Sequence, residues 1–373
     1  MTPPPEATTR FATDLTALAT APAPDRPLAI AVSGGPDSMA LLALAATAFP
    51  GSVIAATVDH RLRTASAHEA AMVAGWCAAH AIPHATLQPA KPPAGASLQA
   101  QARHARYALL ADWALTARAS ALATAHHADD QAETFLMRAA RASGPAGLAG
   151  IRPYWAFDPE RWHQAFISRP PHTSPQRRPG SPTVERDARQ QQDPGLRRGD
   201  QQGHRPRLPI VRPLLTWRRS DLRALAADLP FIDDPSNTDP RHDRTAARAL
   251  LADGDLDPVA LAASAAHCRD VDATLTETVD WLWRTRRRDA EVGTCRLDMT
   301  DLPRELRRRL ARCAITAVRL DGGITEGQWS DAANIESLLT ALDSGRTATR
   351  AGVLTSAIRG IWHFRPAPPR RSC

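Results

Sequence analysis

AIAVSGGPDSMALL, residues 29–42, decides the fold. An apolar run, Leu28–Val32, stops at Ser33, and a helix-like apolar run resumes at Met39 and continues to Ala48. The first run reads as a short buried strand, bounded by Pro27 and by Gly34 and Gly35. Glycine tolerates positive φ and lets a ligand approach the main chain. The N–H groups that open the following helix are unpaired and carry partial positive charge. Strand, glycine turn and helix together make an anion site. The Ser33 and Ser38 hydroxyls add donors. Asp37 repels a bare phosphate but fits one that carries Mg²⁺. The plainer reading is a tight turn with Ser and Asp capping a helix.

Two common phosphate loops are excluded. The Walker A loop needs Lys before its Ser/Thr; here Asp37 precedes Ser38, and Lys91 is the only lysine in the chain. The dinucleotide loop needs G-x-G-x-x-G, which is not present here.

Working outward, strands are expected at 52–58, 84–87 and 121–125, with helices over 65–81, 97–119 (Ser97 as N-cap) and 130–142. This alternation predicts an α/β fold: a Rossmann-like parallel sheet with helices on both faces. SGGPDS, VDHRLR (58–63) and HHADD (126–130) each follow a strand, where such sheets bind ligands. Residues 1–24 read as an N-terminal extension and 25–230 as the catalytic domain. Within it, 156–207 is rich in Pro, Arg, Gln and Asp and poor in apolar residues, so it reads as a disordered insertion between strands at 152–157 and 208–214. Residues 231–373 read as a linker and a smaller, mainly helical domain. Helices are expected over 217–229, 256–287 and 301–320, with Trp281 and Trp283 in the core. Short strands are expected at 295–299 and 350–364, the latter a C-terminal hairpin.

The chain has 373 residues, 43% hydrophobic, with a formal net charge of +7. That charge suits a polyanionic partner. The five cysteines, Cys77, Cys268, Cys295, Cys313 and Cys373, form no C-x-x-C pair, which argues against a disulfide framework and a zinc or iron–sulfur knuckle. The N-terminal residues hold no apolar signal core and no run reaches spanning length, so a cytoplasmic protein is expected.

Asp59 or His60, at the end of the second strand, reads equally as a ligand contact or as part of a strand-ending turn. Arg103, Arg106 and Tyr107 share adjacent helical faces, either as a phosphate clamp or as a solvated face with Tyr107 packed inward. TAHHADDQAETFLMR (124–138) runs from a strand into a helix. Asp130 and Glu133 point the same way; as a capping box, Asp130 would be the N-cap and Glu133 would reach back. That leaves His126 and His127 unexplained. Paired carboxylates also suit Mg²⁺ or a cationic amine, whereas a transition-metal site lacks further ligands.

SGGPDS resembles the S-G-G-x-D-S motif of the PP-loop ATP pyrophosphatases, which cleave ATP between the α and β phosphates and adenylate a substrate. With VDHRLR, QARHARY, HHADDQAET, ASGPAGL, RPLL and DPSNTDPRHDR in the same order, the chain resembles the tRNA(Ile)-lysidine synthases over roughly 28–150 and 208–250. Gln101, His242 and Thr245 depart from the usual pattern, and the insertion has no counterpart. The resemblance implies adenylation of C2 of the wobble cytidine of an isoleucine tRNA with a CAU anticodon, then attack by free lysine with release of AMP and pyrophosphate. It implies ATP and Mg²⁺ as cofactors, a ligase activity, and a C-terminal domain that grips tRNA. Ser33, Gly34, Gly35, Pro36, Asp37, Ser38, Asp59 and His60 would bind ATP, with Asp37 on Mg²⁺. Asp37, Asp130, Glu133 and Arg103 would be catalytic. Arg106, His127, Arg244 and Arg248 would bind substrate or tRNA. A homodimer would be in keeping. The rivals are another PP-loop tRNA-modifying or amide-forming synthetase, or a noncatalytic tRNA-binding relative. The thiolases need paired cysteines and the amidotransferases an N-terminal catalytic Cys; neither is present.

Overall fold

The computed structural model describes residues 2–61, 64–92, 98–159, 162, 207–233, 243–325, 329–330 and 333–368. These residues divide into two compact units, the first ending at Cys268 and the second running from Arg269.

The first unit is built on a six-stranded sheet of β1 (Leu28–Ala31), β2 (Val53–Val58), β3 (His84–Leu87), β4 (Ala121–Ala123), β5 (Tyr154–Phe157) and β6 (Leu208–Val211), in the order β3-β2-β1-β4-β6-β5. All neighbours are parallel except the edge strand β5, which runs antiparallel to β6 with Trp155 opposite Ile210. β1 reads LAIA without alternation because helices cover both faces of the sheet. From β1 the chain builds to one side through β2 and β3, then returns to β1's other side with β4. The crevice beyond the ends of β1 and β4 is therefore the switch point where such sheets take their ligands.

Helices α1 (Pro5–Thr16), α2 (Pro36–Ala48), α3 (Thr64–Ala79), α4 (Leu98–Thr116), α5 (Ala128–Ala139), α6 (Pro145–Leu148), α7 (Arg219–Ala226) and α8 (Asp243–Ala252) complete this unit. On one face Met39, Leu41, Leu42 and Leu44 of α2 pack with Phe11, Leu15, Trp217 and Leu222. On the other, Tyr107, Leu110 and Ala114 of α4 pack with Leu122, Phe157 and Ile210. The expected N-terminal extension thus contains a helix whose Phe11 and Leu15 are fully buried. Ala156 and Phe157, at the start of the expected insertion, belong to β5, and Trp162 stacks on His104 at 4.8 Å. Residues 160–161 and 163–206 of that insertion lie outside the described residues, as do Ser97 and most of DPSNTDPRHDR.

The second unit takes up the end of the helix α9 (Pro258–Thr285), then β7 (Arg287–Arg288), β8 (Cys295–Asp298), α10 (Arg304–Asp321), α11 (Glu336–Asp343), β9 (Ala348–Arg350), β10 (Val353–Ile358) and β11 (Ile361–Pro366). Its antiparallel sheet, β7-β8-β11-β10-β9, packs against α10 and α11 through Ile315, Val318, Leu338, Val353, Trp362 and Phe364. The expected hairpin is β10–β11. It closes at Arg359 and Gly360, both at positive φ (50° and 80°), the conformation of a two-residue type I′ turn.

Trp281 does not enter the core as expected: it is 56% exposed, while Trp283 packs inward with Arg287 over its ring at 5.5 Å. Residues two apart on a helix face different ways, so both could not be buried. The basic run of α10 is largely neutralised, with Arg304, Arg307, Arg308 and Arg309 paired to Glu305, Glu336, Asp343 and Asp272. Among the described residues no helix is long and apolar enough to cross a membrane.

Candidate active site

The SGGPDS turn closes β1 and opens α2. Gly34 has φ +84°, a conformation that excludes most side chains. Gly35 is the N-cap of α2, Pro36 starts the helix, and Asp37 sits in its first turn. The Ser33 N–H and its hydroxyl both reach Ser38 Oγ at 3.2 Å, and the Ser38 hydroxyl donates to the Gly35 carbonyl at 2.9 Å. Phe231–Asp233 folds back over the turn, the Ile232 N–H donating to the Gly34 carbonyl at 3.0 Å. The serines thus hold the loop's shape, and the helix N-terminus faces the crevice.

Asp37 meets the start of α5 across the switch point. His127, 3% exposed, has its Nε2 at 3.5 Å from one Asp37 oxygen and 3.5 Å from Asp130, with Nδ1 at 3.6 Å from Asp129. Burial alone pulls the His127 imidazole down. The hydrogen bond to Asp37 and the charges of Asp130, Asp37 and Asp129 outweigh it, so the ring is held above its ordinary value. The other Asp37 oxygen, Oδ1, is buried with no hydrogen-bond partner.

The capping box at α5 differs from the expected one. His127 is the N-cap: Asp130 N–H donates to Nδ1 at 3.4 Å, and the His127 N–H donates to the Asp130 carboxylate at 3.2 Å. The helix begins two residues earlier than expected because His127 can accept in place of a carboxylate. Glu133 is thereby released from capping. It is 2% exposed and receives Arg248 Nε–H from α8 at 2.6 Å. Asp129 instead caps α7, accepting from the Arg219 N–H at 2.8 Å.

The neighbouring histidine behaves oppositely. Burial, with the charges of Arg212, Arg103 and Arg244, pushes His126 well below its ordinary value, so it is neutral at physiological pH. Thr124 Oγ1 lies 3.0 Å from its Nδ1. The two histidines mark a boundary between a carboxylate side (Asp37, Asp129, Asp130) and a guanidinium side (Arg103, Arg212, Arg244). Arg103 lies over the Tyr107 ring at 4.9 Å. Arg212, the first residue of RPLL, is 5% exposed and donates to the Arg152 carbonyl at 2.5 Å, with the Tyr107 hydroxyl at 3.4 Å.

The end of β2 supplies Asp59 and His60. Asp59 accepts from Ser66 Oγ at 2.6 Å, the Arg61 N–H at 2.8 Å and Gln88 at 3.2 Å. These donors, the Ser66 hydroxyl foremost, hold its carboxyl below the usual range. They make Asp59 the organiser of the turn into α3. Its contribution to stability is therefore present above an unfolded value of about 4 and is lost as pH falls through the depressed folded value. Asp59→Asn is expected to cost about 1 kcal/mol at neutral pH, and the gap to wild type should close on acidification; urea titrations at both ends of that range check it. His60, lowered by burial first, lies 3.5 Å from Arg106 Nε.

Two residues that the motif reading left without a role hold the glycine loop. Gln131 donates to the Ala149 carbonyl at 3.1 Å and accepts from the Ile151 N–H at 2.6 Å. A Cβ on Gly150 would come within 2.6 Å of that amide, at φ +67°. Arg138 adds a bond to the Gly147 carbonyl at 2.6 Å. The helical spacing of Gln131, Glu133 and Arg138 could not indicate these partners.

The orphaned Asp37 oxygen fits a bound cation. Mg²⁺ takes one or two carboxylates and completes its shell with phosphate and water, so this loop is suited to a metal-bound phosphate. A protein-only metal cage is not in evidence: among the described residues no group of three His, Cys, Asp or Glu could hold a metal.

Residues 7–177 match the model of a PP-loop domain. The chain is 38% identical to the tRNA(Ile)-lysidine synthase of Novosphingobium aromaticivorans, over 98% of this chain and 95% of that protein. It is 36% identical to that of Zymomonas mobilis, over 92% and 89%, and 34% identical to that of a Bradyrhizobium species, over 92% and 91%.

Proposed function

The chain belongs to the tRNA(Ile)-lysidine synthases, and we propose that its chemistry takes place in the crevice beyond β1 and β4, between the SGGPDS turn and the start of α5. It is an ATP-dependent ligase that forms lysidine in isoleucine tRNA. The observation that carries the residue assignment is Asp37: a buried carboxylate oxygen without a partner, at a helix N-terminus shaped by two serines and two glycines.

Ser33, Gly34, Gly35, Pro36 and Ser38 hold the pyrophosphate end of ATP with backbone and hydroxyl donors. Asp37 would hold Mg²⁺, which would supply charge compensation for the leaving pyrophosphate. Asp59 shapes the turn that lets neutral His60 lie beside the nucleoside. Arg103, with Arg106 and Arg244, holds the phosphate or the activated cytidine from the guanidinium side. Asp130 and Glu133 take the ammonium groups of free lysine and orient the attacking amine as it loses its proton. His127 keeps Asp37 and Asp130 in place. The second unit binds the tRNA backbone.

The test is ATP-dependent incorporation of labelled lysine into an isoleucine tRNA transcript with the CAU anticodon. A methionine tRNA transcript, which shares that anticodon, is the control. Incorporation into the first alone is expected. AMP release without lysine transfer would keep the ATP chemistry and overturn the nucleophile.

A further inference from the structure

Glu133 is 2% exposed, and its two carboxylate oxygens are used unequally. Oε1 receives Nε–H of Arg248 at 2.6 Å; Oε2 is equally buried and has no hydrogen-bond partner. A buried carboxylate oxygen left without a donor destabilises a protein, and such atoms persist where a ligand supplies the donor. The surroundings say which donor. Asp129 and Asp130 lie on the same first turns of α5, with Asp37 beyond His127. A phosphate is repelled there, and an ammonium is attracted.

Arg248 itself lies on α8, next to the buried Ala247, and the guanidinium edge that carries Nε is turned to Glu133. A phosphate approaching that edge would meet the carboxylate. This single charge-assisted bond to Oε1 holds one oxygen of Glu133 and leaves the other for a second donor.

We infer that Arg248 is a positioning residue of the amine site: by holding Oε1 of Glu133 it presents Oε2 to an ammonium group of the incoming lysine. This rests on the reading of Glu133 as a lysine-binding carboxylate. It differs from a role for Arg248 on the tRNA backbone, because it acts through Glu133.

The test uses the full chain with Arg248→Gln and Arg248→Lys, titrating lysine in the incorporation assay and measuring tRNA affinity separately by filter binding at two salt concentrations. Wild-type incorporation of lysine is the check on the underlying reading; its absence would sink that reading and the inference with it. Given wild-type activity, Arg248→Gln is expected to raise the KM for lysine roughly tenfold or more, with tRNA affinity within about twofold and its salt dependence unchanged. Arg248→Lys, which keeps the charge at Glu133, should recover part of the loss. Weakened tRNA binding with a shallower salt dependence and an unmoved lysine KM would overturn the inference in favour of a phosphate contact. A fall in lysine and tRNA binding together, with a lower melting temperature and no recovery in Arg248→Lys, would overturn it in favour of a structural strut.

Discussion

Asp37→Ala is expected to lower the rate of lysidine formation by about a hundredfold to a thousandfold, while tRNA affinity stays near that of wild type. The argument is local. Asp37 sits in the first turn of α2, where its side chain adds nothing to the loop's own hydrogen bonds; those run among Ser33, Gly35 and Ser38. One of its oxygens faces His127 at 3.5 Å and the other is buried without a partner. A negative charge at a helix N-terminus is favourable, but a buried carboxylate oxygen left without a donor is not. The arrangement is stable once a cation joins it. Removing the carboxylate leaves the glycine turn and helix terminus able to bind phosphate and removes the group that places the metal. AMP release should therefore fall along with lysine incorporation. Asp37→Asn, which keeps the shape, should fail in the same way and respond to added Mg²⁺ only weakly. Near-normal AMP release from either variant would remove Asp37 from the mechanism.

Much of this site was legible in the sequence because it is made of continuous stretches. SGGPDS shows its turn, its hydroxyls and its acid within six residues, and the alternation of runs around it indicates the sheet. The β1–β4 switch point then brings HHADDQAET opposite it. What was not legible depends on partners far away in the chain. Asp130 reads as an N-cap because Glu133 stands three residues on, as a capping box requires; His127 offers the same spacing to Asp130 and takes the role through its Nδ1. Arg212 stands in a quoted motif without a role, since its partners come from the segment before β5, the Arg152 carbonyl, and from α4, the Tyr107 hydroxyl. Glu133 and Arg248 were both singled out, for different jobs. Nothing in their spacing says that α5 and α8 join them. The opposite protonation tendencies of His126 and His127 follow from which side of the crevice each faces, which adjacent positions in a chain cannot reveal.

The N-terminal residues are a sharper case of the same difficulty, and they lead to the largest expected effect on stability. Phe11→Ala should destabilise the protein by about 3–5 kcal/mol. The stretch PEATTRFATDLT, within the expected N-terminal extension, has few apolar residues. Two of those few, Phe11 and Leu15, are four apart and lie on one face of α1. Both are fully buried against α2, and the Phe11 ring meets Phe49 edge-on at 6.5 Å. Polar contacts fix the helix in register: Asp14 accepts from the Trp217 indole at 2.8 Å, Arg10 lies over the same ring at 4.2 Å, and its guanidinium donates to the Thr216 carbonyl at 2.9 Å. Trp217 in turn follows RPLL and passes its carbonyl to the Ala128 N–H, the first of α5, at 2.9 Å. A cavity at Phe11 thus lies under α2, whose N-terminus forms the phosphate loop, and beside the segment that anchors α5. Chemical denaturation should show the loss as a lower midpoint with an unchanged slope. Arg10→Ala, which removes only the exposed contacts, should cost about 1 kcal/mol or less. Equal small effects from both substitutions would mean that α1 rests on the surface of the unit and is no part of its core.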